Sequence, residues 1–226
     1  MFHSTQSEKV SVIFLAGGKG ARMGSTLPKQ YLPLAGKPLL FYSLDLFLHH
    51  PEVGEVIIVC AHPFRSLFRE NMKFADPGER RQDSVYNGLQ QVSSHFKWVA
   101  VHDGVRPFIT QEMISSLFLE GKKTGVATLG VPIKATIKEV SEKKEVIKTW
   151  NRELLWEIQT PQFLNKAVME EGFAYTREKN LTVTDYVSLA EMMRHPVKIV
   201  EGSYQNIKIT TPEDLRYAEI SIRHCL

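Results

Sequence analysis

Several short stretches of this chain combine the residue types that handle anions. The first, LAGGKGARMG at 15–24, sets glycines around Lys19 and Arg22 directly after an apolar run. Glycine lets backbone N–H groups come close to a ligand, which is how chains cradle phosphates. Two common phosphate loops do not fit. Met23 stands where the dinucleotide fingerprint needs its third glycine, and no Gly-Lys-Ser/Thr occurs at Walker spacing. Pro28-Lys29-Gln30 follows, placing Lys29 seven residues beyond Arg22, so that one turn of chain brings both cations to a polyphosphate. Taken alone, such a segment reads more plainly as a loop with solvated charges.

Two further stretches narrow the chemistry. GERRQDSV at 78–85 reads as a turn running into a helix start, whose unpaired N–H groups suit anions or base edges as well as an ordinary cap. HDGVRP at 102–107 follows the apolar run WVAVH, at the carboxyl edge where open α/β sheets bind ligands. An aspartate in that place, Asp103, suits a divalent metal that bridges phosphate oxygens. His102, lying within the strand, is expected to be a packed core histidine and not a catalytic group.

The elements that must position these residues follow from periodicity. Apolar runs at 10–16, 55–60 and 98–102 read as strands covered on both faces, and 39–48, 66–72 and 83–92 have helical spacing, with Val85, Leu89 and Val92 on one face. Strand alternating with helix predicts βαβ units in a mostly parallel sheet. A strand at 125–131 is followed by ATIKEV, SEKK and EVIKTW at 135–150, two β-prone runs around a charged turn. They read as a two-stranded arm protected by a second copy of itself, or as a surface hairpin folded onto its own domain. Beyond it, 164–177 and 184–193 look helical, 198–200 and 207–210 look like short strands, and Thr211-Pro212 caps a last helix.

Composition sets the bounds. At 226 residues, 43% hydrophobic and 23% charged, the chain is long and apolar enough for one α/β core, which excludes disordered and fibrous classes. A net charge of +3 is too near balance to be a nucleic-acid footprint, so anion binding must come from local placement. Two cysteines, Cys60 and Cys225, make neither a metal tetrad nor a disulfide framework. With no apolar run long enough to span a bilayer and no signal-peptide pattern, a cytoplasmic protein without membrane or nucleic-acid partners is expected.

Taken in order, AGGKGARMG, PKQYLPLAGKPL, GERRQDSV, HDGVRP, QTPQ and NIKITTPEDL resemble the nucleotidyltransferases that activate sugar and polyol phosphates. The likeness runs from about residue 10 to 218, nearly the whole chain. HDGVRP, TPQ and NIKIT narrow it to the 2-C-methyl-D-erythritol 4-phosphate cytidylyltransferase family, which uses CTP in non-mevalonate isoprenoid biosynthesis. The resemblance implies a three-layer, Rossmann-like nucleotidyltransferase fold with a mostly parallel central sheet. It further implies a single domain over 1–226 with a dimerisation β-arm at about 132–154, a homodimer joined through that arm, and Mg²⁺ as cofactor.

Residue by residue, Arg22 and Lys29 match the loop cations that hold the CTP triphosphate, and Lys208 in NIKIT matches the lysine reaching its α-phosphate. Ala16, Gly17, Gly18, Gly78 and Ser84 match the nucleotide pocket, and Asp103 the metal-side aspartate. Arg106, Thr136, Arg152, Thr160, Thr184 and Asp185 match the polyol-phosphate site, with Thr136 and Arg152 carried on the arm of the other subunit. The chain has Ala-Gly-Gly and His-Asp-Gly-Val-Arg-Pro where the family often has Ala-Ala-Gly and His-Asp-Ala-Ala-Arg-Pro. Related ribitol 5-phosphate cytidylyltransferases share several of these motifs and are the alternative enzyme reading. A non-catalytic nucleotide-binding protein is the alternative from another class.

Overall fold

A computed structural model describes residues 8–18, 27–69 and 72–225. β1 (Val10–Leu15) is followed by a small hairpin of β2 (Pro33–Leu34) and β3 (Lys37–Pro38), then α1 (Leu40–His49), β4 (Val53–Val59) and β5 (Lys73–Ala75). Next come α2 (Arg81–Leu89), β6 (Trp98–Asp103), α3 (Gln111–Thr124), β7 (Val126–Pro132), β8 (Lys138–Val140) and β9 (Val146–Thr149). β10 (Trp156–Asn165), α4 (Lys166–Glu178), α5 (Val187–Met192), β11 (Lys198–Glu201) and α6 (Pro212–Cys225) complete the chain.

Among the described residues, seven strands form one sheet in the order β11-β7-β10-β6-β1-β4-β5. Only β10 runs against its neighbours, antiparallel to both β6 and β7. Alternation along each strand divides the core between two faces. Val10, Val12 and Phe14 of β1 pack with Leu44 and Phe47 of α1 and with Ile114, Leu117 and Phe118 of α3. Ile13 faces the other side, with Val85 and Leu89 of α2, Met169 and Phe173 of α4, and Leu189 of α5. The architecture is therefore the expected three-layer α/β fold with a mostly parallel sheet.

Three local expectations are corrected. The segment at 66–72 is not an α-helix: a 3₁₀ turn over His62–Leu67 occupies part of it, and residues 70 and 71 lie outside the described set. Residues 207–210 are extended without a ladder; Ile209 N–H donates to the Val105 carbonyl at 2.9 Å and Thr210 N–H to the Asp214 carboxylate at 2.8 Å. The helix expected from 164 begins at Lys166, because Leu164 and Asn165 are the last residues of β10, a strand that the apolar pattern does not announce. Pro161, with a cis bond to Thr160, sits inside it, and the β10–β7 register shifts between Ile158 and Gln162.

The last helix starts as expected. The Thr211 hydroxyl accepts the Asp214 N–H at 3.3 Å while the Asp214 carboxylate accepts the Thr211 N–H at 2.9 Å, closing a reciprocal cap around Pro212. Residues 138–149 form a separate two-stranded sheet, exposed along its length, with Val140, Val146, Ile147, Trp150 and Leu154 all open to solvent. The hairpin leaves these side chains exposed and does not pack back onto the core. Among the described residues no helix is long and apolar enough to cross a membrane.

His102 is fully buried between the rings of Phe14 and Phe47. Its Nε2 faces the Arg106 carbonyl at 3.3 Å, which can only accept, so the proton sits there and Nδ1 accepts from the Thr160 hydroxyl at 3.3 Å. Burial pushes its pKa down from 6.5 to about 3, against the opposing pull of Asp103. Below 6.5 the unfolded chain binds a proton that the folded ring refuses until about 3. Over that window stability is lost as the pH falls, by up to about 1.4 kcal/mol per pH unit from this group. His102→Gln should remove that part of the slope in urea unfolding series between about pH 6 and 4. An unchanged slope would show that another group carries the acid sensitivity.

Candidate active site

Register brings the site together at the carboxyl edge. Leu15 of β1 lies beside Val59 of β4 and Asp103 of β6. Immediately beyond, Gly17 passes so close to residue 77 that a Cβ would stand 2.6 Å from Pro77 Cγ, so only glycine fits. Gln30 Nε2 donates to the carbonyls of Ala16 and Gly18 at 2.7 and 2.9 Å, and the Tyr31 hydroxyl donates to Ala16 at 2.9 Å. These bonds fix the entry of the glycine-rich loop. Gly17, Gly18 and Lys29 line a cleft of about 710 Å³, while Ala16 is buried beneath it.

The opposite wall is the start of α2. A Cβ on Gly78 would collide with Asp83, so this turn also requires glycine. The Gly78 N–H donates to Ser84 Oγ at 2.9 Å, and Asp83 accepts the Arg80 N–H at 3.1 Å. The helix start is therefore capped by its own side chains, with Gly78 and Ser84 at the cleft.

Asp103 forms the floor between this cleft and a second cavity of about 250 Å³. Arg81 and Lys208 line both cavities and pair with its carboxylate, Arg81 through Oδ1 and Lys208 through Oδ2 at 2.8 Å. Burial pushes the Asp103 pKa up, but the charges of Arg81 and Lys208 and their hydrogen bonds outweigh it and hold the group well below the usual carboxylate range. Lys208 is aimed by its neighbours. Fully buried Asn206 donates to Gln159 Oε1 at 3.2 Å and the Thr160 carbonyl at 3.1 Å, and fully buried Ile209 is tied to Val105.

Arg106, Thr160, Thr184 and Asp185 line the second cavity. The Thr160 hydroxyl accepts the Asp103 N–H at 3.1 Å, and Arg106 donates to the Asn206 carbonyl at 2.5 Å. Arg106 Nε is buried with no protein partner among the described residues, and burial lowers the guanidinium pKa. A cation with an unsatisfied N–H at a cavity wall suits an anionic ligand.

Thr136 and Arg152 are not brought into either cavity of their own chain. Both are exposed on the arm or its root, with Arg152 donating to the Lys134 carbonyl at 3.2 Å. Arg22 lies outside the described residues. Sequence reasoning missed Arg81 and Gln30. Arg81 had left a signal, since a cation in a first helical turn opposes the macrodipole and needs a partner elsewhere.

Among the described residues no group of three or more His, Cys, Asp or Glu side chains is placed to hold a metal unaided. Mg²⁺ bound through one or two carboxylates, with substrate phosphates and waters completing its shell, needs no such cage. Asp103, the ionised carboxylate between both cavities, fits that mode.

Comparison with known proteins agrees with this layout. The sequence profile described as 2-C-methyl-D-erythritol 4-phosphate cytidylyltransferase matches residues 10–224. A chloroplastic protein of that name from Oryza sativa subsp. japonica is 46% identical over 223 residues, covering 96% of this chain and 75% of the relative. One from Chlamydia pneumoniae is 44% identical over 212 residues, covering 93% and 98%. The crystal structure of the Francisella tularensis protein of that name superposes with a TM-score of 0.81 at 33% identity, covering 94% of this chain and 99% of that one. The 4-diphosphocytidyl-2C-methyl-D-erythritol synthase of Anaerococcus prevotii gives 0.85 at 27% identity, covering 96% and 99%. A match over nearly the whole length, in sequence and in three dimensions, shows that the chain belongs to the 2-C-methyl-D-erythritol 4-phosphate cytidylyltransferase family.

Proposed function

We propose that the chain transfers the cytidylyl group of CTP to 2-C-methyl-D-erythritol 4-phosphate, giving 4-diphosphocytidyl-2-C-methyl-D-erythritol and pyrophosphate. An oxygen of the acceptor phosphate bonds to the α-phosphorus of CTP as the bond to the pyrophosphate oxygen breaks. With a second pKa near about 6, that phosphate is already mostly dianionic at neutral pH, so no general base is required. The observation that carries the reading is the pair of adjoining cavities, separated by Asp103 and flanked by Arg81 and Lys208.

Bringing two polyanions together is the physical problem, and preorganised cations solve it. CTP occupies the larger cleft, its triphosphate held by Arg22, Lys29 and backbone N–H groups of Gly17 and Gly18, its base and ribose against Gly78 and Ser84. Lys208 reaches the α-phosphate. The acceptor phosphate enters the smaller cavity beside Arg106, Thr160, Thr184 and Asp185. Thr136 and Arg152 complete that cavity from the arm of a second copy, a homodimer supported by the apolar surface the arm leaves exposed. Asp103 would hold Mg²⁺, which when bound neutralises phosphate charge. The cytoplasm is the proposed compartment, supported by Cys60, a buried thiol whose pKa burial raises to about 11.

The test is pyrophosphate release with CTP and each of two acceptors, 2-C-methyl-D-erythritol 4-phosphate and ribitol 5-phosphate. Turnover with the first is expected. Turnover with ribitol 5-phosphate alone would reassign the acceptor. Calorimetric CTP binding without turnover on either would make the chain a nucleotide-binding protein and not an enzyme.

A further inference from the structure

The segment at 181–186, which carries Thr184 and Asp185 into the second cavity, has no helix or strand of its own. Its backbone is instead held by the first turn of α2. Gln82, only 4% exposed, donates from Nε2 to the Leu181 carbonyl at 3.2 Å and accepts the Val183 N–H at Oε1 at 3.0 Å. Arg81, the preceding residue, donates to the Thr184 carbonyl at 3.3 Å and lies over the Tyr186 ring, 4.7 Å from its centroid. From the far side, Gln162 of β10 accepts the Tyr186 N–H at 2.7 Å.

A buried amide is costly unless its donors and acceptors are matched, and Gln82 spends both of its polar ends on this one segment. Both bonds fall just before Thr184, so they set the direction in which the chain enters the cavity. The same turn of α2 walls the larger cleft through Arg81 and Ser84, with Gly78 just before it.

We propose that Gln82 is a positioning residue for the acceptor: its amide fixes the backbone at Leu181 and Val183 so that Thr184 and Asp185 face the second cavity. The inference rests on the acceptor reading of that cavity. Gln82 touches neither substrate and acts only through the segment it holds.

Gln82→Leu keeps the bulk and removes both bonds. Expected are a rise of at least about tenfold in KM for 2-C-methyl-D-erythritol 4-phosphate and a calorimetric Kd for CTP, without acceptor, within about twofold of wild type. Amide hydrogen exchange at Val183 should be faster while the β1 and β6 amides keep their protection. Gln82→Glu, which retains the acceptor for the Val183 N–H, should give a smaller rise, and it alone decides the matter if Gln82→Leu does not fold. An unchanged acceptor KM, or an equal loss of affinity for CTP and acceptor, would overturn the inference while leaving the proposed reaction intact. Absence of wild-type turnover with either polyol phosphate would remove the acceptor reading and this inference together.

Discussion

Lys208→Ala should fold normally and lose at least about a hundredfold in kcat, the usual scale for removing one preorganised charge from a developing anion. Its Nζ stands 2.8 Å from Asp103, at the wall common to both cavities, where the proposed reaction builds charge on the α-phosphoryl group as pyrophosphate leaves. The fold survives because Asp103 keeps Arg81 and because the Lys208 side chain, 34% exposed, fills no core. The loss should fall on kcat more than on KM for CTP, since the interaction strengthens only as the transition state forms. Steady-state pyrophosphate release, with thermal unfolding as the control, reads both. Near-native turnover would remove Lys208 from the mechanism, and a change confined to KM would make it a binding residue.

Replacing residues 135–150 by a Gly-Gly turn should abolish the proposed dimer and lower activity at least about a hundredfold, because in that assembly Thr136 is deleted and Arg152 loses its approach to the acceptor cavity of the second copy. The excision costs the protomer little, since residues 138–149 are exposed and bury no core. Their exposed Val140, Val146 and Ile147 are costly in a lone chain and useful between two. Sedimentation should show a monomer with unchanged secondary structure. A deleted chain that still sediments as a dimer would place the interface elsewhere.

What was legible in the sequence depended on whether a residue served the core or the site. β1, β4 and β6 could be read from continuous apolar runs because both of their faces are covered. β10 is just as central but reads WEIQTPQFLN, with Gln159, Thr160 and Gln162 buried where a core strand would carry Val or Ile. Their partners lie outside the strand: Gln159 donates to the Ser203 carbonyl, Thr160 accepts from Asp103, and Gln162 accepts from Tyr186. Polar residues placed for the second cavity erased the apolar signal, and Pro161 argued further against a strand. The 207–210 segment erred the other way: I-K-I-T alternates like a strand, but the alternation serves to bury Ile209 and turn Lys208 to Asp103. Glycines could be flagged from the motif, whereas the crowding that demands them, Pro77 over Gly17 and Asp83 over Gly78, joins segments distant in the chain or folded by a turn. Arg81 was visible as a residue type, but its partner Asp103 is 22 positions away and joins it only across the sheet edge.

The lining of the two cavities also constrains the handedness of the product at phosphorus. Among the described residues neither wall carries a cysteine or a histidine, and the Ser84 hydroxyl is engaged with the Gly78 N–H and the Arg80 carbonyl. In the proposed reaction no side chain takes the cytidylyl group in a covalent detour and returns it, Lys208 acting on the α-phosphate as a cation and not as a nucleophile. In the proposed reaction donor and acceptor meet across Asp103 and exchange in one displacement, entering and leaving on opposite sides of the α-phosphorus. A single displacement turns that centre inside out, so a nucleotide made chiral at the α-phosphate would emerge with inverted configuration, a record of the step kept only in molecules so labelled.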